Sequence, residues 1–276
     1  AEYGRQLMEG LMVLGTRGKH ANVLQHLIGF LKDHLSSDDK QELLGLITDY
    51  RRGFVPLVVP LTLLKLGEDT EMAVVEMGAN HQREIAFLSR LAEPDYGYIT
   101  NFGKAHLEGF GGVQGVIKGK SELYDYLLGA GKHVFLNADD PIQREKLKGY
   151  DKKIGFSTSD PGFFRIKNLG AAPYVKLQVE DTIIQTQLSG AYNFPNCAIA
   201  VLMGKYFDIP LPDIREALEG YVADNNRSQL ITKKDLQIIL DAYNANPSSM
   251  EVALRHLGGL KTGRKIAILG DMFELG

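Results

Sequence analysis

The spacing of apolar residues divides the chain into a helix-rich first quarter and a strand-rich remainder. In the first quarter, apolar positions recur at helical spacing over residues 2–14, 22–35 and 41–50. Two serines followed by two aspartates at 36–39 form a helix-start signal, because hydroxyl caps and carboxylates suit the positive end of a helix dipole. The pattern predicts three helices and a fourth piece, residues 54–64, which prolines interrupt.

From residue 71 the period changes to short, β-rich apolar runs that alternate with helical stretches. The runs are EMAVVEMGA (71–79), YGYITNFG (96–103) and KHVFLNADD (132–140). Helical patterns over 82–91 and 113–128 lie between them. Alternation of this kind predicts a mostly parallel sheet with crossover helices, which is an α/β fold.

Three further runs follow one another without a helix between them. They are GFFRIKNLG (162–170), PYVKLQVED (173–181) and TIIQTQLSG (182–190). They predict an antiparallel addition to the sheet, and two helical patterns at 192–207 and 213–221 come after it.

The last segment begins a new β-α-β unit. A strand pattern at 236–240, a helix through Gly259 and a second strand pattern from residue 264 make up this unit. Because the second strand ends where the sequence ends, we expect a truncated Rossmann-like C-terminal domain.

Composition narrows the class of protein. A formal net charge of -3 argues against a dedicated nucleic-acid binder. The single cysteine, Cys197, excludes an intrachain disulfide framework and suits a reducing compartment. No apolar run reaches the ~18 residues of a membrane-spanning helix, and no signal-peptide layout is present at the N-terminus. We therefore expect a cytoplasmic, monomeric protein that has no nucleic-acid or membrane partner.

Eight motifs between residues 71 and 276 resemble the Mur ligase family, and specifically its D-alanyl-D-alanine-adding type. Their joint order and spacing carry the resemblance, which covers residues 59–276. The motifs are VVEMGANH (74–81), TNFGKAHLEGFGG (100–112), KGKSELYDYL (118–127), LNADDP (136–141), LSGAYNFPN (188–196), NNRSQ (225–229), DAYNANPSSM (241–250) and LGDMFELG (269–276).

The resemblance implies an ATP-dependent amide ligase of peptidoglycan synthesis. Such an enzyme phosphorylates a carboxylate with ATP and then lets an amine displace phosphate from the acyl phosphate. The implied substrates are UDP-N-acetylmuramoyl-tripeptide and D-alanyl-D-alanine, and the implied cofactors are ATP and Mg²⁺. The implied fold is the family's central α/β domain.

Three residues match the family's metal ligands. Glu76 matches the magnesium carboxylate, His106 matches the second metal site, and Lys120 matches a catalytic lysine that the family converts to a carbamate. Oxygen ligands with an occasional imidazole suit Mg²⁺. Each residue has a plainer interpretation: an exposed strand-end acid, a loop histidine and a surface helix lysine. Lys118, two positions earlier, is an alternative to Lys120.

Four residues match the family's nucleotide contacts. Asn193 and Asn196 match adenine contacts, although Asn at a helix start also serves as a cap. Arg227 matches the catalytic arginine on the γ-phosphate, where a planar guanidinium fork suits phosphate oxygens. Asp241 matches the ribose-binding acid. Asp139 and Asp140 are expected to cap the helix after Pro141 rather than to hold a metal.

Residues 15–65 resemble a different family, the YbgA-type domain of unknown function. His20, Asn22 and His26 match its polar motif, and packing or capping is the favoured role for them. The stretch Leu14 to His20 also echoes the glycine-rich phosphate loop of Mur ligases, but position 20 is not the hydroxyl residue that magnesium needs. We therefore expect the usual first strand and phosphate loop to be lacking.

These interpretations define three domains and two rival functions. The domains are a helical segment (1–65), the central ATP domain (66–229) and the start of the C-terminal domain (230–276). One rival is a non-catalytic chimeric fusion. The other is a helper module for nucleobase or RNA sulfur chemistry, suggested by the YbgA-type match and by four basic residues, Arg17, Lys19, Arg51 and Arg52.

Overall fold

The computed structural model describes the chain in segments that fall into two compact units. The described residues are 21–22, 25, 37–52, 67, 69–103, 107–223, 229–234, 236–242, 245, 247–260 and 263–270. One unit comprises Ala1–Glu93 and the other Pro94–Gly276. Among the described ranges, no helix is long and apolar enough to cross a membrane.

The first unit contains two described helices, α1 (Ser37–Arg52) and α2 (Glu84–Ala92). The helix-start signal is confirmed, since α1 begins at Ser37, and Ile47 and Tyr50 are buried. The predicted strand at 71–79 is wrong. This stretch forms no strand, and Val74 is 85% exposed there. An apolar run becomes a strand only when a neighbouring strand accepts its backbone hydrogen bonds, and none in the described ranges does so.

The second unit is built on a six-stranded sheet in the order β1 to β6. The strands are β1 (Tyr96–Gly97), β2 (His133–Asn137), β3 (Lys153–Ser157), β4 (Phe164–Gly170), β5 (Lys176–Val179) and β6 (Thr182–Gln185). The first four pair in parallel, and β4, β5 and β6 pair antiparallel. The predicted parallel sheet and antiparallel addition are thus confirmed, and β4 belongs to both.

Helices cover this sheet. They are α3 (Leu107–Phe110), α4 (Val113–Gly129), α5 (Pro141–Lys146), α6 (Phe194–Tyr206) and α7 (Leu211–Gly220), with a 3₁₀ turn at Ala191–Asn193 before α6. Phe135 of β2 joins the core with α6, and its neighbours Val134 and Leu136 are also buried. Because successive side chains of a strand point to opposite faces, β2 is covered on both sides.

The core runs from the sheet to α6 and α7. Its fully buried members come from every strand from β2 to β6, namely Phe135, Phe156, Ile166, Leu177 and Ile184. Phe194 and Val201 fill the same core from α6. This packing positions the start of α6 against the sheet, where the predicted adenine contacts lie: Asn193 directly before the helix and Asn196 in its first turn.

The C-terminal segment forms a hairpin and a helix rather than a β-α-β unit. Strands β7 (Gln229–Lys233) and β8 (Leu236–Leu240) pair antiparallel, and α8 (Pro247–Gly259) follows. The predicted strand from residue 264 is wrong in its described part, 264–270, where Ile268 is 94% exposed. As at 71–79, no described strand pairs with it.

Candidate functional site

Lys120 lies on α4 with its side chain directed to the segment that follows β1. Its Nζ donates hydrogen bonds to the main-chain oxygen of Asn101 at 2.8 Å and to Asn101 Oδ1 at 3.3 Å. Burial lowers the pKa of the Lys120 amine below its usual value. Lys118, the alternative, is exposed. The two lysines therefore differ in exposure, since Lys120 is half-buried and Lys118 is exposed. The role of Lys120 stays a prediction.

Asn101 is fixed in place by its own loop. Its Oδ1 accepts a hydrogen bond from the amide of Gly103 at 2.9 Å. The segment after a parallel strand lies at the carboxyl edge of the sheet, where α/β folds place their ligands. Lys120 thus contacts the edge expected to hold substrate. His106, the predicted second metal residue, lies outside the described residues.

Glu76 is exposed on the stretch 71–79 of the first compact unit, which forms neither helix nor strand. It does not end a strand, contrary to the expectation. Its carboxylate is therefore open to solvent or to a ligand. Its metal role stays a prediction.

Asn193 and Asn196 frame the start of α6. Asn193 Nδ2 donates to the main-chain oxygen of Ser189 at 2.8 Å, and Asn196 Nδ2 lies 3.4 Å from Asn193 Oδ1. Neither side chain caps α6 in the usual way, because the residue before the helix makes no side-chain capping bond. The capping interpretation is therefore not the one that the geometry supports.

Asp241 directly follows β8 and is exposed, as expected for an acid at a strand end. Arg227 lies outside the described residues. The stretch 14–20, which resembles the phosphate loop and includes His20, also lies outside the described residues. His26 lies outside them too. Asn22 and Arg51 are described and exposed.

Asp139 and Asp140 have structural roles. Asp140 accepts hydrogen bonds from the amides of Ile142 and Gln143, which confirms it as the cap of α5. Asp139 instead joins the loops after β2 and β3, since its carboxylate accepts from Ser157 Oγ and from the amide and hydroxyl of Thr158. Burial alone would raise the pKa of Asp139, but these hydrogen bonds outweigh it and hold the pKa below its usual value.

One contact was not foreseen from the sequence. His256 Nε2 of α8 lies 2.6 Å from Ser189 Oγ, in the loop that carries Asn193. Burial lowers the pKa of the His256 imidazole. The residues are 67 positions apart, so only an alignment of relatives could have signalled this pair.

The donor set can be compared with the needs of Mg²⁺. In the described part of the chain, no three His, Cys, Asp or Glu side chains lie close enough together to hold a metal ion. The predicted set does not require such a group, because it relies on a modified lysine and on His106. The two amide oxygens of Asn101 beside Lys120 Nζ are of the hard oxygen type that Mg²⁺ prefers, whereas the amine supplies oxygen ligands only after it is modified.

Comparisons with protein families divide the chain into three matches. Residues 44–204 match the Mur ligase middle domain. Residues 226–276 match the Mur ligase glutamate ligase domain. Residues 1–67 match a family of unknown function, DUF1722.

Individual relatives, both curated proteins and solved structures, agree with the two Mur ligase matches. The UDP-N-acetylmuramoyl-tripeptide--D-alanyl-D-alanine ligase of Bacillus subtilis is 34% identical over 224 residues, which cover 79% of this chain and 48% of the relative. A crystal structure of MurF from Acinetobacter baumannii superposes with a TM-score of 0.69 at 30% identity, covering 79% of this chain and 49% of that one. The MurF ligase of Thermotoga maritima in complex with ADP has a TM-score of 0.67 at 24% identity, covering 79% and 51%. The chain thus spans about half the length of the relatives that it matches.

Proposed function

Because the chain belongs to the Mur ligase family, we propose that it carries nucleotide-site and metal-site residues of an ATP-dependent ligase that adds D-alanyl-D-alanine to UDP-N-acetylmuramoyl-tripeptide. One observation carries the proposal beyond the family match. The lysine that the family modifies is half-buried here and is held against the segment after a parallel strand. Burial of the amine costs hydration, and its hydrogen bonds to Asn101 offset part of that cost.

The reaction has two steps. A carboxylate oxygen of the tripeptide attacks the γ-phosphorus of ATP, the bond to the β-phosphate oxygen breaks, and ADP leaves. The amino nitrogen of D-alanyl-D-alanine then attacks the acyl carbon, loses a proton, and expels inorganic phosphate. In both steps negative charge develops on oxygen atoms in the transition state. Catalysis therefore depends on positioning of the reactants and on positive charge near the phosphoryl group.

We propose that Glu76, His106 and Lys120 hold Mg²⁺, Lys120 as its carbamate. When bound, Mg²⁺ would offset the charge of the transferring phosphoryl group. Lys120 is suited to carbamate formation, because carbon dioxide adds to a neutral amine and burial favours that neutral form. The one N–H that a carbamate keeps could still donate to the main-chain oxygen of Asn101, and that bond would hold the modified group at the sheet edge.

We propose that Asn193 and Asn196 contact adenine, Asp241 the ribose and Arg227 the γ-phosphate. The solved T. maritima relative in complex with ADP supports a nucleotide ligand for this family. We also propose the three domains 1–65, 66–229 and 230–276, and a monomeric, cytoplasmic protein with small-molecule substrates and no nucleic-acid partner.

The paired lysines of α4 provide the test. The protein is equilibrated with ¹³C-labelled bicarbonate, and the carbamate carbon is sought by ¹³C NMR. Mg²⁺-dependent ATP binding is then measured by calorimetry for the wild type, Lys120→Ala and Lys118→Ala. We expect Lys120→Ala to lose the carbamate signal and to weaken Mg²⁺-dependent ATP binding about tenfold. Lys118→Ala should keep both.

Other outcomes point elsewhere. A carbamate signal that disappears only in Lys118→Ala would move the metal site by two residues. No heat with millimolar ATP in the wild type would favour a non-catalytic fusion. RNA binding that weakens with salt would favour the helper module.

A further inference from the structure

The loop before α6 is held from two sides. Leu188 accepts a hydrogen bond at its main-chain oxygen from the amide of Val175, and its own amide donates to Thr186 Oγ1. Ser189, the next residue, is 1% exposed, and its hydroxyl lies 2.6 Å from His256 Nε2. The sheet therefore anchors one residue of the loop, and α8 anchors the next.

Ser189 in turn fixes the orientation of Asn193. The main-chain oxygen of Ser189 can only accept a hydrogen bond, so the atom of Asn193 that faces it at 2.8 Å must be the amide nitrogen. Asn193 Oδ1 is then the acceptor atom that remains on this side chain. Asn196 approaches Oδ1 at 3.4 Å, but an amide oxygen has a second acceptor site. The side chain thus presents an acceptor, which pairs with the 6-amino group of adenine and repels the 6-oxo group of guanine.

His256, which contacts the loop through Ser189, lies in a different family match from the loop itself. His256 lies in the part that matches the glutamate ligase domain, whereas Ser189 and Asn193 lie in the middle-domain match. All three belong to the same compact unit. A hydrogen bond to a buried hydroxyl restrains both the rotamer and the backbone position of Ser189, because the side chain has only one rotatable bond to its oxygen.

We propose that His256 is a positioning residue for nucleotide recognition: it fixes Ser189, and thereby holds the Asn193 amide in the orientation that selects adenine. This inference rests on the proposed function, since it takes Asn193 as an adenine contact. It adds a residue from α8 to the nucleotide site. His256 itself touches no substrate in this assignment.

The first test needs no nucleotide. Amide hydrogen exchange of residues 186–193 is compared in the wild type, His256→Ala and Arg255→Ala. Arg255 is the matched control, because it is the preceding residue of α8 and its exposed side chain pairs with Glu251. We expect exchange in this loop to be about tenfold faster in His256→Ala and unchanged in Arg255→Ala. Unchanged exchange in His256→Ala would overturn the inference that His256 restrains this loop.

The second test separates adenine recognition from general damage. Dissociation constants are measured for ADP, GDP and inorganic tripolyphosphate, which lacks the base. We expect His256→Ala to weaken ADP binding about tenfold, to reduce the preference for ADP over GDP, and to leave tripolyphosphate binding unchanged. His256→Gln, which keeps a neutral hydrogen-bonding side chain, should restore most of the ADP affinity. Ser189→Ala should match His256→Ala, and the double variant should lose no more than either single variant.

Three results overturn the proposal. They are equal losses for ADP and tripolyphosphate, no loss for ADP, or an additive double variant. A wild type that binds neither ADP nor tripolyphosphate overturns the proposed nucleotide site, and with it the adenine role of His256. In that case the exchange comparison still decides whether His256 restrains the loop. Failure of the nucleotide site and failure of the restraint by His256 can therefore be distinguished.

Discussion

At the scale of single residues, Arg83 is held in an unfavourable backbone conformation. Its φ is 73°, in the left-handed region, directly before α2 begins. Two hydrogen bonds hold the turn in this shape, because Glu84 Oε2 accepts from the amides of Asn80 at 2.6 Å and His81 at 3.1 Å. The turn is therefore stabilised by the glutamate at a cost in backbone energy at the arginine.

We expect Arg83→Gly to be more stable than Arg83→Ala by about 1 kcal/mol. Both variants remove the guanidinium and its contacts, but only glycine adopts the positive φ without a clash at Cβ. Urea denaturation of the two variants measures the difference. Equal stability of the two would mean that the turn relaxes when the side chain is shortened.

A second residue-scale feature gives a pH dependence. The pKa of Asp139 is below its usual value in the folded protein. A lowered carboxyl pKa stabilises the fold at pH values above the unfolded pKa of about 3.9, and this stabilisation is lost as pH falls through the folded pKa. In Asp139→Asn the unfolding free energy should therefore fall less steeply below about pH 4. Denaturation curves between neutral and acid pH test this, with Asp151→Asn, an exposed acid, as the control.

At the scale of elements, α3 and α4 meet through a glycine. A Cβ at Gly119 would lie 2.4 Å from Phe110 Cε1, and Phe110 is 3% exposed. Gly129 ends the same helix with nothing within 4 Å of its Cβ position. The two glycines therefore differ in their surroundings, and Gly119 lies in the helix interior whereas Gly129 is the last residue.

We expect Gly119→Ala to destabilise the protein by about 1–3 kcal/mol, because the ring of Phe110 must move and α3 with it. Gly129→Ala should be neutral or stabilising by up to about 1 kcal/mol, since alanine favours helix. Thermal or urea unfolding of both variants distinguishes packing from propensity. A gain in stability for both would show that Phe110 moves aside at no cost.

The elements also show what the sequence could predict. Period and turn residues were sufficient for α2, α4, α6 and α7 and for five of the six strands of the larger sheet. The exception is β3 (Lys153–Ser157), which the sequence analysis did not predict. The runs 71–79 and 264–270 have equally strong strand patterns and form none. Strand formation depends on a partner elsewhere in the chain, and local pattern carries no information about that partner.

The residues of the candidate site also differ in whether the sequence could indicate them. Family motifs led to Lys120, Asn193 and Asp241, and their roles stay predictions. The structure places Lys120 within α4, Asn193 directly before α6 and Asp241 directly after β8. His256 could not be found, because its partner Ser189 is distant in sequence and its own surroundings read as an ordinary amphipathic helix. Contacts between distant loops depend on tertiary structure alone.

At the scale of the whole molecule, the family prediction is confirmed. The Mur ligase match covers 44–204 and 226–276, and the match to a family of unknown function covers 1–67. The middle-domain match and the match to the family of unknown function overlap over 44–67, so the border between helical segment and ligase domain is not sharp in sequence. The structure divides into compact units at Glu93 and Pro94 instead.

Ligand binding should stabilise the proposed adenine site more than the helices that make no nucleotide contact. With Mg²⁺ and ADP at about 100 times the dissociation constant, mass action adds about 2.7 kcal/mol to the stability of whatever binds the nucleotide. Hydrogen exchange should therefore slow in α6 and the loop before it, while α1 of the first unit serves as an internal reference. Equal slowing in α1 would place nucleotide contacts in the first unit as well.

The uncovered run 264–270 has a practical consequence for the purified protein. Ile266 is 67% and Ile268 94% exposed, and the segment from 266 to 270 has no charge and no proline. Segments of this kind stack into cross-β fibrils when molecules meet. We expect concentrated samples to acquire thioflavin T fluorescence, and Ile268→Lys to delay its onset at equal concentration; an unchanged lag time would locate the nucleus of fibril growth elsewhere.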